Sequence, residues 1–367
     1  MSVLAIRLLT PFFLFAANVT PCADRHDDRL QYYSNHFAVL TRGDGSKALA
    51  FLRDDGSIVE TLSLEGRVPA FGLDVVAVLE RNPAGPERSV ETRDALGKVI
   101  ARFSVPTDRE MFVGNGSIAL RPRADHSVGT EHRVELRSLS GIPLGATARS
   151  GVLLVALDPG PRGTWLSYAV NGNGQYLLLF FDSAGRVLWE FETRGARMPT
   201  VAVSPSLASA AIGVPQDDAQ TSRLHLLDAF GAVVAETNVD EFRVATFSPD
   251  GRLLALGGNH SLTLVPVDQR IPSWSTAKVW LPLENPLCFS PDGRLLHVVS
   301  RRLLEDGGEG PPSLLAFPIR ESAGSGPRVL PLSVDVQDEV LAVVQMVPDA
   351  GGGLTLVTRY RMWSLKP

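Results

Sequence analysis

Two stretches of this chain are near copies of each other. Phe247-Ser248-Pro249-Asp250-Gly251-Arg252-Leu253-Leu254 recurs 42 residues later as Phe289-Ser290-Pro291-Asp292-Gly293-Arg294-Leu295-Leu296. Ser, Pro, Asp and Gly in that order fit the four positions of a type I turn. Pro presets φ at the second position and Gly closes the turn at the fourth. The apolar residues on either side are then the strands that the turn joins. Weaker echoes stand at Val203-Ser204-Pro205-Ser206 and Val347-Pro348-Asp349-Ala350-Gly351.

A second element repeats at a similar period. Arg93-Asp94-Ala95-Leu96-Gly97-Lys98-Val99-Ile100 returns as Phe181-Asp182-Ser183-Ala184-Gly185-Arg186-Val187-Leu188 and as Leu227-Asp228-Ala229-Phe230-Gly231-Ala232-Val233-Val234. Looser forms end at Gly56 and Gly141, so glycines at 56, 97, 141, 185 and 231 mark a spacing of 41 to 46 residues. Such an element predicts a hairpin whose glycine takes positive φ. Short apolar runs at 37–41, 177–181, 224–227 and 253–256 read as strands, and no helical period competes with them. Gly (33) and Pro (26) together exceed the roughly 12% of average usage, as many turns between short elements require.

A period of 40 to 46 residues, with four strands per repeat, predicts an all-β chain folded as a single β-propeller over residues 37–367. A lone four-stranded blade leaves two apolar faces bare, and neighbours packed around a ring cover both. Counting second-kind hairpins, with degenerate ones near Asp268 and Ser322, gives seven blades, and length over period leaves eight as the alternative. Residues 340–365 offer two or three further strands, and the repeat that starts near Phe37 lacks a first strand, so the ring is expected to close by sharing one blade between the termini. The Phe-Ser-Pro-Asp-Gly-Arg motifs resemble the WD40-like repeats of bacterial envelope propellers of the TolB type. That resemblance implies the fold and an envelope setting, and no particular activity. Eukaryotic Gly-His and Trp-Asp dipeptides are absent. A quinoprotein-like blade pattern occurs once, at 182–189, so no quinone cofactor is expected.

Residues 1–23 read as an export signal. Arg7 precedes an apolar run from Leu8 to Val19, about 18 Å long as a helix and too short for a bilayer core of about 30 Å. Cleavage is expected near Ala17 or Ala23. Val19-Thr20-Pro21-Cys22 also resembles a lipoprotein box, with Pro21 where that motif has a small residue, and implies a lipid anchor at Cys22. Residues 24–36 read as a short polar lead-in. No transmembrane span is expected elsewhere, and Cys288 is left without a partner.

The net charge of −5 and the lack of any Lys/Arg run argue against nucleic acid as a partner. Nucleophile elbows, phosphate loops and zinc-binding spacings are all missing from the sequence. His126 and His132, beside Asp125 and Glu131, form a polar loop conceivable as a metal site but read as solvated. His225, His260 and His297 come from successive repeats, a candidate shared site on one face of the ring, although nothing in their spacing demands it. Asp94, Asp182 and Asp228 read as residues that cap their own turns. Trp274 and Trp280 read as one face of one strand, serving blade packing or a recognition patch. Residues 304–312 read as an acidic loop between strands. No catalytic, metal or cofactor residues are assigned. The expected function is an exported, non-catalytic scaffold, periplasmic or extracellular, that holds a protein, peptide or glycan on one rim. The alternative is a propeller hydrolase or lactonase with a metal or acid/base set in the central channel.

Overall fold

The fold is described from a computed structural model. It covers residues 19–21, 29–123, 131–258, 261–303 and 309–319, less short loop stretches within those ranges, and the strands at 328–330, 343–348, 354–358 and 362–365.

The described strands form eight antiparallel sheets. Blades 1 to 7 occupy residues 29–63, 67–106, 109–150, 152–194, 200–240, 244–276 and 279–330, each with its strands in chain order from first to fourth. Blade 7 adds a short extra strand, because Val279–Trp280 and Leu287–Phe289 both pair with Leu295–Leu303. Blade 8 takes its first three strands from Val343–Pro348, Leu354–Thr358 and Met362–Leu365, and its fourth from Val19–Pro21 at the other end of the chain. First strands of successive blades lie side by side, as at blades 2, 3 and 4 and again at blades 5, 6, 7 and 8. The ring meets itself where Val357 of blade 8 packs on Ala38, Ala50 and Leu52 of blade 1.

Burial follows strand position. The third strand of blade 4, Gln175–Phe181, is buried on both faces from Leu177 onward, because neighbouring blades cover each side. That explains its unbroken apolar run, which a one-sided sheet would alternate. The outer strand Val187–Arg194 does alternate, with Trp189 buried and Glu190 exposed. The core is therefore a series of seams between blades. Trp165, Leu179 and Phe181 pack on Val134 and Leu136 across the seam of blades 3 and 4. Leu178, Phe180 and Trp189 pack on Ile212 and Leu227 across the next. Each such side chain contributes roughly 1.5–3 kcal/mol of burial.

Both repeated motifs sit on one rim. Gly251 and Gly293 donate their N–H groups to the carbonyls of Ser248 and Ser290, closing the expected type I turns between first and second strands. The Ser hydroxyls donate to Asp250 and Asp292 and accept the N–H of Leu253 and Leu295. Those hydroxyl bonds, with the N–H groups of Arg252 and Arg294, hold both carboxyls below the usual carboxylate range. The second motif joins third and fourth strands, and its glycines have a further role. A Cβ on Gly97, Gly141 or Gly231 would fall under 3 Å from Glu60, Phe103 or Trp189 of the preceding blade. On Gly185 it would meet the carbonyl carbon of Ala146 at 2.7 Å. Each turn is thus pressed against the outer strand of the blade before it.

Three expectations need correction. The count of seven falls one short, because hairpins between third and fourth strands mark only the blades built from one continuous stretch. Blade 8 has no such hairpin, its third and fourth strands coming from opposite chain ends. The first repeat does not lack its first strand: Arg29–Tyr32, within the stretch read as a polar lead-in, pairs with Phe37–Thr41. Trp274 and Trp280 do not share a strand. Trp274 is in the outer strand of blade 6 and Trp280 begins blade 7, since the chain crosses between blades there.

Candidate functional site

The described surface opens into a cleft of about 430 Å³ between the outer parts of blades 4 and 5. Its cause is a change of residue type along one seam. Trp189, stacked on Phe180 with ring centroids 5.0 Å apart, fills the seam near the motif-bearing rim. Two and four residues on, the same face of that strand carries Phe191 and then the smaller Thr193. Opposite them, the third strand of blade 5 runs from Leu227 through His225 to Arg223. Bulk gives way to polar side chains towards the opposite rim, and the seam parts. Gln175, Val214 and Gln216 complete the walls.

His225 lies against Phe191, with ring centroids 5.0 Å apart. Its Nδ1 is 3.4 Å from a Glu236 oxygen yet has no hydrogen bond. Burial lowers the His225 pKa, opposed by Glu236 and aided by Arg223, so the ring is neutral at pH 7. Arg223 Nε stands 3.4 Å from the other Glu236 oxygen. Gln175 accepts a bond from Asn171 at 2.8 Å, which fixes its side chain, and Gln216 donates to the Val214 carbonyl at 3.1 Å. An aromatic wall, an imidazole, guanidinium groups and amides suit the groups of a peptide: backbone carbonyls, a carboxylate and one apolar side chain.

The other singled-out residues are dispersed. His132 is fully buried in blade 3 and hydrogen-bonds Ser167 of blade 4 through Nε2 at 2.9 Å. Burial drives its pKa down to about 4, so it is a neutral core residue that ties two blades. Asp125 and His126 lie outside the described residues, as do His260, Ser322, Cys22 and positions 304–308. Residues 309–312, read as the end of a loop, belong to the strand Glu309–Pro318. His297 is buried in the second strand of blade 7, two blades from His225 and opposite Cys288. Burial pushes the Cys288 thiol up to about 11, away from nucleophile chemistry. Asp94, Asp182 and Asp228 each accept two N–H groups from their own turn. Among the described residues no three His, Cys, Asp or Glu side chains gather as a metal would need, and no helix is long and apolar enough to cross a membrane.

No family model and no curated protein matches this chain. Solved structures do. The Dos1 propeller superposes with a TM-score of 0.56 at 12% identity, covering 95% of each chain. Sqt1 from Chaetomium thermophilum matches with a TM-score of 0.56 at 13% identity, over 96% of this chain and 100% of that one. The fold is a WD40-like β-propeller. A second Sqt1 structure, bound to the N-terminus of the ribosomal protein L10, matches at 0.55 and 12% identity, over 94% and 98%. At such identities the likeness extends to the fold alone.

The sequence did not single out the cleft. Its walls come from two blades, and Phe191, Thr193, Arg223 and His225 form no local pattern. The one available signal was the drop in side-chain size along the outer strand, from Trp189 to Thr193.

Proposed function

We propose that this propeller is a non-catalytic scaffold that holds a peptide segment of a protein partner in the cleft between blades 4 and 5. We further propose that it works outside the cytoplasm, as its leader-like N-terminus and TolB-type motifs suggest. The carrying observation is the cleft: a parted seam on a rigid ring, with an aromatic wall and polar donors at one rim. Propellers of this fold supply a precedent, since Sqt1 takes the N-terminus of a ribosomal protein.

The test is photo-crosslinking in the native host, with benzoylphenylalanine at Arg194 on the cleft rim and, separately, at Phe230 on the opposite rim. The expected result is one protein captured from position 194 through one segment, and lost when Thr193→Trp fills the cleft. Identical adducts from both positions, or adducts that survive Thr193→Trp, would sink the reading.

A further inference from the structure

Val19, Thr20 and Pro21 pair with Leu365, Ser364 and Trp363 as the outer strand of blade 8. The other seven blades take their strands from one continuous stretch each. Val19–Pro21 lies inside the segment that the sequence marks for removal, at the end of its apolar run and directly before Cys22. The processing routes therefore have opposite structural consequences. Cleavage after Ala23, or lipidation that makes Cys22 the first residue, discards the strand. A cut near Ala17 keeps it.

We propose that the strand is kept. Val19–Pro21 is part of the folded protein, processing hydrolyses the chain on the N-terminal side of Val19, and Cys22 stays internal and unlipidated. The processing half rests on the export reading above, while retention of the strand does not. A peptidase adds water across one amide bond, leaving a carboxylate on the released leader and an amine on the mature chain.

Three observations carry this. Without Val19–Pro21 blade 8 is left with three strands, and Trp363, Ser364 and Leu365 lose the partners that they pair with on that side. With it, blade 8 has the same four strands as its neighbours. Pro21 suits the outermost position, where a missing N–H faces solvent, whereas a central strand would lose a ladder bond. Finally, Pro21 ends an outer strand and Arg29 begins an inner one, the same order as on either side of 195–199 and 241–243. The seven intervening residues, 22–28, reach about 23 Å when extended. Crossing three strand spacings needs about 14 Å.

Two measurements on the full chain decide the matter. In a Cys22→Ser background, Thr20→Cys with Ser364→Cys places two thiols directly opposite each other, within disulfide reach. Oxidation of the folded protein is expected to link them in most molecules, by peptide mapping. Thr20→Cys with Met362→Cys, two residues out of register, is expected to link at least tenfold less. Equal linking of both pairs, or none, overturns the strand. N-terminal sequencing of the protein made by its own host is expected to begin at Val19 or earlier. A start at Cys22 or Asp24 overturns the proposal. A wholly unprocessed chain retained in the cytoplasm, with the 20–364 link formed, refutes export and upholds the strand.

Discussion

The press of each hairpin against the preceding blade predicts how three glycines of blades 3 and 4 respond to a single methyl group. Gly174 and Gly185 both have positive φ, +72° and +80°, but a Cβ on Gly174 would meet nothing within 4 Å. On Gly185 it would meet the Ala146 backbone. Gly145 is the converse: it lacks the positive φ, yet its Cβ would collide with the Ala184 carbonyl oxygen. A left-handed conformation costs an alanine about 1 kcal/mol. Forcing an added methyl against packed atoms costs about 1–3 kcal/mol. Gly174→Ala should therefore lose about 1 kcal/mol, Gly145→Ala about 1–3 and Gly185→Ala the sum, about 2–4. Urea denaturation with an unchanged m value measures these differences directly. If Gly185→Ala falls no further than Gly174→Ala and Gly145→Ala is neutral, the turns do not lock the blades together and the period in the sequence reflects hairpin geometry alone.

Other outcomes follow from single contacts. His132 has a folded pKa of about 4 against 6.5 unfolded, so the unfolded chain binds more protons between those values. Its contribution is whole above pH 6.5 and falls by about 3 kcal/mol as pH drops to about 4; a His132→Gln variant whose pH–stability curve matches the parent's over that window would refute it. Ser290→Ala strips the turn of its bonds to Asp292 and Leu295 and should cost about 1 kcal/mol in a denaturant melt. Trp165→Phe removes the 2.9 Å bond to Ser117 in a buried seam and should cost about 1–3 kcal/mol, read as a lower denaturation midpoint. Phe230 is 86% exposed, so Phe230→Ser should leave the melting curve within about 0.5 kcal/mol of the parent.

Leu207 shows how closely the turns are copied. In the echo at 204–207 it stands where the full motifs have Gly251 and Gly293, and it takes φ +65° itself, donating its N–H to the Ser204 carbonyl. The residue type differs, but the turn is the same. A leucine tolerates this strained region because its side chain packs against the seam of blades 4 and 5.

The sequence by itself determined the repeat, the turns and the strand type. These are local matters: a Ser-Pro-Asp-Gly turn and an Asp-x-x-Gly hairpin are set by φ preferences and by hydrogen bonds within a few residues. The strand Phe37–Thr41 and the caps at Asp94, Asp182 and Asp228 were legible for that reason. Tertiary structure decided between seven and eight blades and chose the strand that completes the shared one; sharing a blade between the termini was already expected from the strands that residues 340–365 offer, but not that Val19–Pro21 fills its outer place. The pairing of Thr20 with Ser364 joins residues at opposite ends of the chain, and no period or spacing encodes a contact of that kind. It also decided the candidate site. His225 and Phe191 belong to different repeats, and their meeting depends on the angle and spacing at which two blades pack. Those follow from the volumes of Trp189, Phe180, Ile212 and Leu227 in the seam beneath them.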